Sequence, residues 1–98
     1  MQHGDIVSIV TVSGEYVGEV SEFLSDNSVR LTNPRMILSD GKGNMGFAKG
    51  LCLSGIENPE EQIFMNYVFI AQTNDTVATA WNEAVGTIIT PPRPTLVK

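Results

Sequence analysis

The chain has 98 residues, 42% of them hydrophobic and 17% charged, the composition of one globular domain with a modest core. A net charge of −5 and six scattered basic residues (Arg30, Arg35, Lys42, Lys49, Arg93, Lys98) exclude a protein that grips duplex DNA through a basic run. No apolar stretch approaches the ~20 residues of a membrane span, and Met1-Gln2-His3-Gly4-Asp5 lacks the basic and apolar segments of a secretion signal. Cys52, the single cysteine, lies between Leu51 and Leu53 and reads as a buried, inert thiol in a reducing cytoplasm.

Asp5 to Val12 is rich in β-branched residues without helical spacing and predicts a first strand. Ser13-Gly14 predicts a tight turn, and Glu15 to Leu24 a second strand. Gly18 inside that strand marks a bend or a close backbone approach. Tyr16, Gly18 and Val20 share a face, which Phe23 rejoins only through a bulge after Val20. Ser25-Asp26-Asn27 is a second turn, Ser28 to Leu31 a third strand, and Asn33-Pro34 an interruption before Arg35 to Leu38 continue the same edge. Three strands joined by two tight turns form an antiparallel meander.

Asp40 to Gly46 has three glycines in seven residues and reads as a loop, with no phosphate-cradle context around its Gly-x-Gly. Phe47 to Gly55 fits either a short strand or a helical turn, and Asn58-Pro59-Glu60-Glu61 reads as a solvated acidic turn. Gln62 to Ala71 is apolar on both sides of Asn66 and does not alternate as a strand with one wet face does. Both of its faces therefore need covering, Asn66 divides it into two short strands, and a neighbouring subunit is the natural cover. Asn74 caps a helix over about 75–85, with Asp75 at its positive end, an apolar stripe of Val77, Ala80, Trp81, Ala84 and Val85, and Gly86 as the stop. The domain occupies 1–90, and 91–98, with Pro91-Pro92-Arg93-Pro94, predicts an extended tail.

The bottom-up fold is thus mainly β: a small, strongly bent five-stranded antiparallel arrangement with one C-terminal helix. The segment Val12-Ser13-Gly14-Glu15-Tyr16-Val17-Gly18-Glu19-Val20-Ser21-Glu22-Phe23 resembles the first signature of the Sm-like family, which includes the eukaryotic Sm proteins and the bacterial RNA chaperone host factor Q. Asp26-Asn27, followed by Val29 and Leu31, is similar to the family's next loop and strand. Phe64 to Ile70 matches the apolar pattern of the second signature, with Met65-Asn66 in place of its Arg-Gly. The resemblance covers about 65 residues, and short divergent members encoded by phages are the nearest type. It implies an SH3-like barrel in a closed homo-oligomeric ring of five to seven subunits, strand four of one subunit pairing with strand five of the next. The implied interface is Ile63, Phe64, Val68, Phe69 and Ile70.

The resemblance also implies single-stranded, U-rich RNA at the pore, contacted by Asp26, Asn27, Met65, Asn66 and Tyr67 through stacking and amide hydrogen bonds. Asp26 and Asn27 equally suit a turn that favours them, and Asn66 without its Arg suits a turn still better. The expected role is RNA chaperone or processing scaffold. The alternative is a structural or adaptor barrel, such as a viral component, that binds no RNA. No enzyme activity, metal or cofactor is expected: His3 is the only histidine, and no nucleophile has a visible base partner.

Overall fold

The structure, a computed structural model, describes residues 1–89, so the predicted tail at 91–98 lies outside the described residues. The β-branched run forms β1 (Ile6–Thr11), followed by β2 (Gly14–Ser25) and β3 (Ser28–Ser39). They make the expected antiparallel meander, Ile6 opposite Glu19 and Ser25 opposite Ser28. The first turn falls at Val12-Ser13, one residue earlier than predicted, and Gly14 opens β2 at φ +155°.

Three register shifts bend the β2–β3 ribbon. Gly18 faces both Asn33 and Pro34, since Val17 pairs with Arg35 and Glu19 with Thr32. A methyl group on Gly18 would stand 3.1 Å from Leu31 Cβ and 3.2 Å from Pro34 Cα, so this close approach requires glycine. Ser21 is an extra residue in β2, the bulge expected after Val20, and it returns Phe23 to a position opposite Val29. β3 runs through Asn33-Pro34 without ending, because Pro34 sits at the bulge where the ladder does not need its missing N–H. Asn33 takes a left-handed φ of 51°, and its N–H donates to Glu60 O at 2.7 Å.

The far edge of β3 is divided between two partners. Ser28–Thr32 pair with β5 (Glu61–Met65), and Ile37–Ser39 pair with β4 (Met45–Phe47). β4 is a short strand beyond the predicted five, and it begins inside the glycine-rich segment. β6 (Phe69–Gln72) returns to β1, giving the order β4-β3-β2-β1-β6 with β5 also on β3. From β5 to β6 the sheet crosses four strand intervals, about 19 Å if flat. Met65 and Phe69 are four residues apart and span at most about 14 Å, so the sheet must curl. It does not close: among the described residues β5 and β6 do not pair, and the predicted barrel is an open, curled six-stranded sheet.

Each face of the sheet has its own core. Val7, Ile9, Tyr16, Val20, Val29, Leu31 and Phe64 form one cluster. Val17, one step out of phase with Tyr16 and Val20, packs on the opposite face with Val77, Trp81 and Val85 of α1 (Asp75–Ile89). Asn74 caps α1 as expected, its Oδ1 accepting from Val77 N–H at 2.9 Å. Trp81 Nε1 donates to Asn33 O at 2.9 Å, tying the helix to the β3 bulge. Ala80, placed on the apolar stripe, is exposed. The helix continues through Gly86 to Ile89, because a helical glycine costs only about 1 kcal/mol.

Residues 48–60 are largely irregular. Pro59 is buried within the turn expected to be solvated, and Cys52 is exposed, not buried as its leucine neighbours suggest; Leu53 is exposed with it. Arg35 anchors this segment from beneath: it is 3% exposed, and its Nη1 donates to Pro34 O at 2.8 Å and Pro59 O at 3.4 Å. Its Nη2 has no partner among the described residues, and burial lowers the pKa of the guanidinium. Asp40 organises the β3–β4 turn, accepting from Asn44 Nδ2 at 2.8 Å and Lys42 N–H at 2.7 Å, bonds that hold its carboxyl below the usual range. Among the described residues, no helix is long and apolar enough to cross a membrane.

Candidate functional site

Two turns that are distant in sequence meet at one end of the sheet. The first, Asp26-Asn27, joins β2 to β3 and is tightened by hydroxyls that the sequence reading passed over. Ser25 Oγ lies 2.6 Å from Ser28 Oγ and donates to Asn27 Oδ1 at 3.2 Å. Ser-Asp-Asn-Ser is the local signal for such a side-chain-braced turn. The second turn joins β5 to β6 at Asn66, which adopts a left-handed φ of 56° that asparagine tolerates better than other side chains.

β5 pairs with β3 so that Met65 stands opposite Ser28, and this register carries Asn66 to Asn27. Asn66 N–H donates to Asn27 O at 2.8 Å, and Asn27 Nδ2 donates to Asn66 Oδ1 at 3.0 Å. The structure therefore brings Asn27, Met65 and Asn66 together. Asp26 is exposed beside them, and Tyr67 is half-buried against the main core. Met65 is 63% exposed, and Phe23 and Leu24 at the end of β2 are exposed as well. Among the described residues the Asn66 Nδ2 hydrogens have no acceptor, and exposed Met65 is the preceding residue. The nearby cation is already engaged, since Arg30 pairs with Glu22 and approaches Glu61 at 3.8 Å.

The same connection presents two open sheet edges. β5 has β3 on one side and β6 has β1 on one side, and among the described residues neither has a second strand neighbour. Exposed apolar side chains line both edges: Ile63 and Met65 on β5, Val68 and Phe69 at the start of β6. Of the residues expected at a seam, Phe64 points the other way. It is buried, with its ring 5.0 Å from that of Tyr16 and tilted by 47°. Strand alternation forces this, since Ile63 and Met65 take the outward positions. Ile70 is half-buried against the same core.

His3 is exposed, with Nδ1 2.8 Å from Ser21 O. Among the described residues, no group of three or more His, Cys, Asp or Glu side chains is placed to hold a metal ion. Comparison with protein-family models, with curated proteins and with solved structures finds no match to this chain.

Proposed function

We propose that copies of this chain assemble head to tail into a closed ring, β5 of one subunit extending the sheet of the next at β6, and that the ring holds single-stranded RNA at its Asn27–Asn66 clusters. In this reading each curled sheet is an Sm-like small barrel completed by its neighbours. The observation that carries it is the pair of strand edges left without partners among the described residues, each with outward apolar side chains, at the two ends of one sheet. Bare apolar edges are an aggregation hazard that ring closure removes. The amide pair and exposed Met65 suit a base that is stacked and read at its edge.

Native mass measured with and without an oligo-U probe tests both halves. A discrete multimer is expected, gaining the mass of bound probe at low salt. A monomer at micromolar concentration would end the assembly reading; a multimer that leaves oligo-U free would end the RNA reading alone. In the latter case the ring is a structural or adaptor element. That second reading is favoured by the engagement of Arg30 with Glu22 and Glu61, and by a net charge of −5 that assembly multiplies.

A further inference from the structure

β4 offers a third strand edge, at the opposite end of β3 from the Asn27–Asn66 cluster. Among the described residues it pairs with β3 on one side and with no strand on the other. The ladder bonds fix which groups face out. Ala48 N–H donates to Met36 O at 2.9 Å, and Asp40 N–H donates to Asn44 O at 3.2 Å. Bonded pairs alternate along an antiparallel ladder, so Gly46, opposite Leu38, also turns its N–H and C=O toward β3. Met45 and Phe47 therefore turn theirs outward, and none of these four groups has a partner among the described residues. An apolar groove of about 260 Å³ lies between β4 and the N-terminal half of α1. Ile37, Met45 and Phe47 wall one side of it, and Thr76, Val77 and Ala80 the other.

We propose that this edge and groove bind an extended acidic segment of a partner protein, added to the sheet as a strand alongside β4. Main-chain bonds to Met45 and Phe47 supply affinity, and alternate side chains supply specificity. Partner residues opposite Met45 and Phe47 share their face and enter the groove, so both are aliphatic. Charge selects what flanks them. In a protein of net charge −5, exposed Lys42 and Lys49 bracket β4. They are the only lysines among the described residues, and neither forms a salt bridge there. Asp40 is turned into its own loop by Lys42 N–H and Asn44 Nδ2, and Asp75, beside Thr76 on the helix, leaves the strand side as the place for an acidic flank. Two copies of β4 paired about a two-fold axis fit less well, because Lys42 of one would stand against Lys49 of the other, like charge on like. The site is independent of the ring and RNA reading, whose edges are β5 and β6.

The test is titration of the full chain, isotope-labelled at its methionine methyl groups, with a synthetic peptide. The probe is Glu-Val-Thr-Val-Glu, blocked at both ends, which presents the same order of side chains in either strand direction. A shift of the Met45 signal is expected, with Met65, at the far end of β3, unmoved. N-methylation of both valines, whose N–H groups face β4 in this pairing, should weaken binding about tenfold. Lys42→Glu combined with Lys49→Glu should weaken it by a similar factor, with the emission of buried Trp81 unchanged as the check on folding. A Met45 signal unmoved by the peptide overturns the proposal, and the lysines then serve to keep a short edge unpaired. Equal binding of the Lys-Val-Thr-Val-Lys twin overturns it too. So does a Met45 shift that follows protein concentration without peptide, because the edge then belongs to a second copy.

Discussion

Replacing Asn66 by alanine and, separately, by glycine divides its backbone duty from its side-chain duty. The residue sits at φ 56°, where an alanine Cβ costs about 1–2 kcal/mol. Glycine avoids that clash but surrenders about 0.5–1 kcal/mol of chain entropy relative to alanine. Both variants lose the 3.0 Å bond from Asn27 Nδ2, worth about 0.5 kcal/mol because it is exposed and at the low end of its class. Alanine should therefore lie about 1 kcal/mol below glycine in stability. In a domain this small, that gap separates the two melting temperatures by about 4–8 °C. Denaturation followed by the emission of buried Trp81, the only tryptophan, reads the difference. Oligo-U anisotropy on the same proteins should show both variants weakened equally, since both lack the amide. Equal stability of the two would refute the left-handed argument, and full RNA affinity in the glycine variant would remove Asn66 from the site.

Val68→Lys should leave the subunit fold within about 0.5 kcal/mol of the parent, because Val68 is 62% exposed. The same change should reduce the proposed ring to monomers by burying an unpaired charge at the proposed seam; sedimentation distinguishes the states, and an intact multimer would rule out a seam at Val68. Gly18→Ala forces a methyl against Leu31 and Pro34 and should cost about 1–3 kcal/mol in denaturant unfolding. Trp81→Phe removes the N–H that serves Asn33 O and also empties part of a site that is only 2% exposed, a combined loss of about 2–3 kcal/mol in thermal unfolding.

The meander was legible because β1 to β3 are written in β-branched residues punctuated by Gly14, Asp26 and Asn27. Asn66 was legible as a divider for the same reason. β4 was not, since Met45-Gly46-Phe47 has no period of its own and becomes a strand only by occupying the spare edge of β3. The inward direction of Phe64 was hidden by apolar neighbours on both sides; the pairing of Phe64 with Val29 sets its phase. Cys52 shows the limit of reading burial from adjacent leucines in a segment without regular pairing. The meeting of Asn27 with Asn66 was suggested by family resemblance alone, because nothing local in either turn points to the other.

The return of the last strand to the first has a consequence for synthesis. The meander can form once Ser39 has left the ribosome, but the outer edge of β1 must wait for Gln72, its partner through Val7. At about 5–20 residues per second the interval lasts roughly 2–7 seconds. Throughout it, Ile6-Val7-Ser8-Ile9-Val10-Thr11 offers bare backbone to any nascent chain on the same message. Slower translation between residues 40 and 72 lengthens that window, so codon choice in this span should govern how much of the product is recovered folded.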